Sequence, residues 1–523
     1  MPANDDTVRP IPPRYWWLKR LGGGFVVLLL VLVVLRLWWG HRAQSRLDAT
    51  VAAIAAKGEP IYFEDMRIEP VPDQDNKAYH FRLALAAWPK VPGQAVVITE
   101  TDWYAKEDDP NRPPDPITDN AAYLREVEAQ VLQHLRAMAA APGVDWGVQL
   151  KSPAIDIDFR HLGETRKLAR LIEDAAERAD AIGDEQLTLA FVRLATPLAE
   201  TLNIDLSSLL GHLVQISIHA IQYDLLQRLL PALDLQVQER ENSARVEAET
   251  LLAELLDESD VRQSLVRGWI GERWFIYDST MAVIESRFNS MSIYGSSVGG
   301  TGRGHKVVMV VVGPVLINDV TYMLDYLTIL ADAARVADNQ VAYDDATHNG
   351  VMQRLGGDPQ HELPRRTLIR WLSGTFLPGL RAAETAHFRL IATRRMAATA
   401  LAIRLYEIDH GQRPDTLEQL VPQYLPAVPR DPFTLDATIN YRPQGAQLVR
   451  ATRARMQHSA PISPLVTPGP AILYCVGNDQ HDDGGRVALD SDGELDKSRN
   501  WEDGLDRGFM PDEKPQAYDP ATP

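Results

Sequence analysis

The sequence predicts a mainly α-helical protein: an N-terminal transmembrane helix, a body of α-helical hairpins and a small C-terminal α+β module. Three observations predict it. Residues 21–39 form an apolar run broken only by glycines and Arg36. Residues 164–182 repeat apolar side chains at three- and four-residue steps, the mark of one buried helix face. Beyond residue 437, short apolar runs alternate with proline and glycine, as strands and turns do.

The chain has 523 residues, 45% hydrophobic and 24% charged, with a formal net charge of -18. That balance suits folded domains. It excludes a nucleic-acid binder, which needs basic patches to displace phosphate counterions. Cys475 is the single cysteine, so an intrachain disulfide and a cysteine-built zinc site are both excluded.

Residues 21–39 suffice to cross a hydrocarbon core of about 30 Å as a helix. Tyr15, Trp16 and Trp17 flank one end, and Trp38 and Trp39 the other, as interfacial belts do. Arg36 lies near one end and can extend its guanidinium to the interface. Arg9, Arg14, Lys19 and Arg20 precede the run, against Arg42 and Arg46 after it. The positive-inside rule therefore places residues 1–20 in the cytoplasm and the bulk outside it. A cleaved signal would need small residues after the apolar run, where Trp-Trp-Gly-His-Arg stands. Gly24-Phe25 matches the flanks of a prepilin cut, but Leu29 occupies the place of the glutamate such leaders share. An uncleaved anchor is expected.

Residues 44–365 read as a helical extracytoplasmic body. Helices are expected at 45–57 and 76–88, a short strand at 96–99 and an exposed acidic loop at 106–116. Leu168, Leu171, Ile172, Ala175, Ala179 and Ile182 mark one helix face. Gly183-Asp184 turns the chain, and Leu187, Phe191, Leu194 and Leu198 face inward from the next helix, with a kink at Pro197. Asp205 is expected to cap a third helix, stopped by Pro231. Further helices are expected at 248–256, 261–284 and 318–338.

Several motifs fail on chemistry. Gly295-Ser296-Ser297-Val298-Gly299 has nucleophile-elbow spacing, but glycines follow where a helix must start. Gly299 and Gly304 are spaced as in a P-loop. His305 replaces the lysine, and the strand-like run 307–312 follows the loop instead of preceding it. His212 and His219 stand two turns apart on a helix, about 10 Å at 1.5 Å per residue, too far to share a metal. Asp156 and Asp158 alternate around Ile157 and read as a solvated strand edge.

Residues 366–490 form the C-terminal segment, and 491–523 an acidic tail. A long helix is expected at 381–409, its buried face marked by Phe388, Ile391, Ala398, Leu401, Leu405 and Ile408 and its end by Gly411. Thr416 and Gln419 form a capping box for a short helix. Strands are expected at 438–441, 447–450 and 472–476. Ala400-Leu401-Ala402-Ile403-Arg404-Leu405-Tyr406 leads to His410-Gly411-Gln412-Arg413-Pro414. Leu417-Glu418-Gln419-Leu420-Val421, Tyr424-Leu425-Pro426, Pro429-Arg430-Asp431-Pro432-Phe433 and Tyr474-Cys475-Val476-Gly477-Asn478-Asp479 follow. In this order the pieces resemble the head of the major pseudopilin of type II secretion, over about a quarter of the chain. The whole layout is also similar to bacterial membrane-anchored proteins with a helical body first and a pseudopilin-like end last.

The resemblance implies calcium in the loop after the Tyr-Cys-Val-Gly strand, with Asp479, Asp482 and Asp483 as ligands; hard oxygen donors on a glycine-rich turn suit Ca2+. It also implies the bacterial inner membrane, crossed once by residues 21–39. The expected role is a non-enzymatic envelope scaffold, working through other envelope proteins and linked to secretion or pilus-like machinery. Two alternatives remain: an extracytoplasmic enzyme with scattered site residues, and a sensor with a ligand pocket between helices.

Overall fold

In the computed structural model, the structure describes residues 16–66, 70–88, 121–203, 209–235, 243–285, 303–355 and 371–443. It also describes 291–293, 296–298, 447–450, 467–468, 471–477, 480–482, 484–489 and 507–509. The expected strand at 96–99, the acidic loop and the cap Asp205 lie outside these residues. The chain is mainly helical with a few short strands.

Helix α1, Trp16–Ala56, joins two expected helices into one rod of 41 residues. Its apolar first part is bare: Leu21 is 63% and Leu37 66% exposed. Its last turns bury Ala43, Leu47, Val51 and Ile54 in the main core. Gly58, at φ +74°, ends it, taking the left-handed turn that a side chain resists.

After α2 (Lys77–Ala87) and α3 (Ala121–Ala140) comes the expected hairpin: α4 (Arg160–Ala181), α5 (Glu185–Arg193), α6 (Ala195–Glu200) and α7 (Leu209–Leu229). Asp184 caps α5 by accepting the Leu187 N–H at 3.0 Å. Pro197 has no N–H for the Arg193 carbonyl, and α5 stops at Arg193. Ile182, expected inside, is 50% exposed because α4 has already ended there.

Helices α8 (Ser243–Leu256), α9 (Ser259–Ile284), α10 (Arg303–Val336) and α11 (Gln340–Leu355) complete the body. Short strands β1 (Met291–Ile293) and β2 (Ser296–Val298) pair antiparallel between α9 and α10. Residues 307–312, expected as a strand-like run, are helical in α10. A short β-branched apolar run does not by periodicity distinguish a strand from a buried helix turn, and α10 packs along α1 here.

The pairing of α1 with α10 is parallel. Arg36 meets Val310, Thr50 meets Asp325 and Lys57 meets Asp332, partners 274 or 275 positions apart throughout. At the crossing, a Cβ on Gly40 would lie 3.6 Å from the Pro314 ring. Pro314 lacks the N–H that would bond the carbonyl four residues back, which belongs to Val310. The Arg36 guanidinium donates to that carbonyl from α1.

Helix α12, Trp371–His410, starts ten residues before its expected start. It is buried on more than the expected face: Leu390, Ala392, Met396, Ala397, Ala400, Ala402 and Ile403 are buried as well. Helices α7, α8 and α10 pack on it, and so do C-terminal strands. Gly411, at φ +69°, ends it as expected. The capping box is displaced: residues 417–420 form a 3-10 turn, Thr416 makes no side-chain cap, and Gln419 accepts the Asp415 N–H at 2.7 Å.

Beyond it, β3 (Asn440–Arg442), β6 (Ile472–Cys475) and β8 (Arg507–Phe509) form one antiparallel sheet in the order β3-β6-β8. Strands β5 (Thr467–Pro468), β4 (Gln447–Arg450) and β7 (Arg486–Leu489) form another. Strand β8 comes from the stretch expected to be a free acidic tail; it pairs Phe509 with Leu473 and Arg507 with Cys475. Asp431 is buried and accepts N–H groups from Phe433 and Val476, at 2.9 and 2.8 Å. It thereby ties the Pro-Arg-Asp-Pro-Phe loop to the end of β6.

The Arg36 clasp predicts a coupled effect. A hydrogen bond from a charged donor contributes about 1.5–3 kcal/mol, so Arg36→Leu lowers the unfolding midpoint of the detergent-solubilised chain. In a Pro314→Ala background, Val310 regains a helical partner and the same change costs less. Equal losses in both backgrounds would show that the guanidinium does not serve this carbonyl.

Candidate functional site

Two cavities and one buried polar chain bring polar side chains together among the described residues. The larger cavity, about 470 Å³, opens at the foot of α1. Ala55, Gly58, Glu59, Pro60, Asp65, Met66, Arg267 and Ile270 line it. Its volume falls within the range of small-molecule sites, about 300–1,000 Å³. Glu59 fixes one wall: it pairs with the buried Arg273 at 2.5 Å and also with Arg335. Burial pushes the Glu59 carboxyl upward, but the two guanidinium groups more than offset this and hold it below the ordinary carboxylate range. Asp65 is occupied by the N–H groups of Ile61 and Tyr62, at 3.1 and 2.9 Å. Arg267, bonded to Gln263 Oε1 at 2.8 Å, brings a cation to the lining.

The smaller cavity, about 100 Å³, lies among α6, α7, α9 and α12 and gathers Glu200, Glu254, Asp257, Asp260, His219 and Arg394. Histidine and carboxylates in one cleft are what acid–base catalysis needs. Most of these groups are committed to holding the fold. Lys77 binds Glu200 at 2.6 Å, Arg193 binds Glu254 at 2.5 Å, and Asp257 accepts the Ser259 N–H at 3.0 Å. The Arg394 guanidinium donates to the carbonyls of Glu254, Leu255 and Asp257, at 2.5, 2.9 and 2.6 Å. It thus satisfies the free carbonyls at the end of α8. Burial raises Glu200, Lys77 counteracts it, and Asp260 adds to the rise.

Beside the smaller cavity the helices enclose further polar groups around Gln215. Ser264 donates to Gln215, and His212 Nδ1 lies 2.8 Å from Ser264 Oγ. The Gln215 amide donates to the Ala199 carbonyl and to Asn203 Oδ1, at 2.8 and 2.7 Å. The His387 ring centroid stands 5.3 Å from that of His212. Burial drives His212 down to about 3 and His387 well below the ordinary histidine value, so both are neutral. Glu384 is 9% exposed and lies against Tyr343. Burial, with the Asp344 carboxylate nearby, pushes it up to about 8.

The sequence-derived sites fare unevenly. Asp479 and Asp483, the outer members of the expected calcium set, lie outside the described residues. Asp482 is exposed, and its carboxylate accepts the Gly484 N–H at 2.7 Å. No cluster of three metal-ligating side chains occurs among the described residues. His212 and His219 are both buried, with different partners: His219 Nδ1 lies 3.3 Å from Gln222 Oε1. Asp156 closes a 3-10 turn and not a strand, because Pro153 precedes it. Asp158 pairs with Arg160 at 2.5 Å. Ser297 lies within β2, opposite Ser292, and α10 begins six residues later, so no elbow turn holds it. Strand β2 does precede the glycine-rich loop and α10 follows it, contrary to the order expected. The P-loop still fails on His305 in the lysine position.

Sequence reading misses Glu59, Arg273, Arg394 and Glu384, because each acquires its role from helices distant in the chain. For Arg273, Arg394 and Glu384 the signal is a charged residue within an otherwise apolar helical face; Glu59, in the turn after α1, carries none. The geometry defines a helical protein with a polar cleft at the base of an apolar rod. Compared with protein families, curated proteins and solved structures, the chain matches none.

Glu384 predicts a pH dependence. Its carboxyl rises from 4.5 to about 8 on folding, so the folded chain binds that proton more tightly. The resulting stability is complete below 4.5 and is lost as pH rises through about 8. Glu384→Gln cannot ionise, so its unfolding midpoint falls less over this range than that of the parent. Parallel profiles would show that Glu384 is not held protonated.

Proposed function

We propose that this chain is a membrane-anchored, non-enzymatic interaction protein of the bacterial envelope, crossing the inner membrane once through residues 21–39 with its N-terminus in the cytoplasm. The observation that carries the reading is α1. It is one continuous helix, apolar and bare over a membrane-length stretch, then buried in the body core. Such a rod fixes the body at a set height above the bilayer without a flexible linker.

The link to secretion or pilus-like machinery rests on the C-terminal order of elements. Long helix α12 leads through a proline-rich loop to the β3-β6-β8 sheet, and Asp431 joins loop to strand. These parts support a pseudopilin-like module that binds other envelope proteins. Calcium at Asp479, Asp482 and Asp483 belongs to the same reading.

The cleft of about 470 Å³ favours a second reading, a sensor that binds a small polar molecule where α1 meets the body. The enzyme reading is weaker. A cavity of about 100 Å³ is smaller than a substrate needs, and its charges are largely paired within the fold.

Membrane fractionation tests the anchor. The full chain pellets with membranes and resists alkaline carbonate. Replacing Leu28, Leu30 and Val33 together by arginine costs about 2.5–3.5 kcal/mol each near the bilayer centre and moves the chain into the soluble fraction. Extraction of the parent chain by carbonate would sink the anchor.

Thermal unfolding tests the metal. Calcium at millimolar concentration raises the midpoint of the full chain in detergent. The rise disappears with chelator and in the Asp479→Ala, Asp482→Ala, Asp483→Ala variant. An unchanged midpoint makes the loop plain surface.

A further inference from the structure

The cleft at the foot of α1 is built from three pieces: the last turn of α1, the turn that follows it, and the part of α9 that carries Arg267 and Ile270. The turn is held at both ends. Ile61 is fully buried, and Met66 is buried in one apolar cluster with Trp274 of α9. Between them the Tyr62 ring meets Tyr277 of α9 edge-on, with centroids 5.9 Å apart. A cleft held in this way loses little freedom when a ligand enters, which favours binding.

The charged groups of the lining are of two kinds. Glu59 has no oxygen to spare, because Arg273 holds Oε2 and Arg335 holds Oε1. Asp65 and Arg267 are only partly engaged. The N–H groups of Ile61 and Tyr62 both donate to Asp65 Oδ2. They fix the carboxylate and leave Oδ1 without a bond among the described residues. The Arg267 guanidinium bonds Gln263 through Nη2 alone, so Nε and Nη1 remain as donors among the described residues. Ala55, Pro60, Met66 and Ile270 supply the apolar remainder of the lining. With Arg273 and Arg335 both on Glu59, the two carboxylates of the lining face three guanidinium groups. That surplus favours a ligand that brings its own carboxylate.

Resting on the sensor reading of this cleft, we propose that it takes a free amino acid with an apolar side chain. The ligand's carboxylate meets Arg267, its ammonium meets Asp65 Oδ1, and its side chain lies along Met66 and Ile270. The carboxylate contributes more to affinity than the ammonium. Arg267 is half-buried and offers two donors, whereas Asp65 is exposed and an ion pair there is screened by water.

Isothermal titration of the full chain in detergent tests this with four probes that share one aliphatic group. They are leucine, 4-methylpentanoate without the ammonium, 3-methylbutylamine without the carboxylate, and the neutral N-acetylleucine amide. Leucine is expected to bind tightest. Loss of the ammonium weakens binding about threefold, and loss of the carboxylate about tenfold or more. Arg267→Gln brings leucine down to the level of 3-methylbutylamine. Asp65→Asn, whose amide oxygen still accepts from Ile61 and Tyr62, brings it down to that of 4-methylpentanoate. Ala55 is exposed on α1 and lines the cleft, so Ala55→Trp fills the cleft and abolishes binding. The unfolding midpoint of each variant without probe shows that it folds. Equal binding of all four probes, or leucine binding unchanged in Arg267→Gln and Asp65→Asn, overturns the amino-acid proposal. The sensor reading survives that result if Ala55→Trp still abolishes binding. Leucine binding that persists in Ala55→Trp lies elsewhere and overturns the proposal as well. Absence of binding by all four probes overturns the proposal. The sensor reading falls with it only if a panel of sugars, nucleotides and polyamines also leaves the unfolding midpoint unchanged.

Discussion

The parallel packing of α1 against α10 is the constraint on which the rest depends. One helix has two surroundings: it is bare and apolar in its first half and buried among helices in its second. Gly40 leaves room for the Arg36 guanidinium, which would lie 2.7 Å from a Cβ there, and the Arg36–Val310 bond settles both polar groups at that level. At the other end, Lys57 bonds Asp332, and Glu59 joins Arg273 of α9 to Arg335 of α10. Breaking one member of such a buried pair leaves an uncompensated charge, so its geometry is strongly specified. The rod is clamped at both ends of its contact, and the orientation of the body relative to α1 follows.

Helix α12 is the second organising element. It carries three guanidinium groups that each bridge chain segments far apart. Arg394 caps α8, Arg395 pairs with Glu258 at 2.6 Å, and Arg404 donates to the Leu233 carbonyl at 2.7 Å. One hydrophobic cluster runs from Leu47 of α1 through α12 to Val476 beside the C-terminal sheet. A load on that sheet would therefore reach α1 through packed side chains and not through a hinge. The cleft at the foot of α1 lies at the same junction, where a bound molecule would touch α1 and α9 together.

The polar interior follows one rule: a buried group is tolerated when it is neutral or has a partner. His212 and His387 lose their charge to burial, and Glu384 retains its proton. Glu258 is drawn upward by burial, but Arg395 and Arg262 offset it and keep the carboxyl below its ordinary range. The same rule holds in the acidic cavity, where Glu200, Glu254 and Arg394 are engaged within the chain.

By itself, the sequence determined the apolar run of α1, the hairpin turn at Gly183-Asp184, the break at Pro197, the end of α12 at Gly411 and the positions of β4 and β6. Each depends on local chemistry: periodicity, a left-handed glycine, a missing N–H. Only the tertiary structure decided that residues 307–312 are helical, that α12 is buried on several faces, that β8 joins the sheet, and that Asp431 holds β6. It also assembled both cavities. Local pattern states which face a residue prefers to bury but not what will cover it. Arg394, Glu59 and Arg36 acquire their partners across 137 to 276 positions of chain.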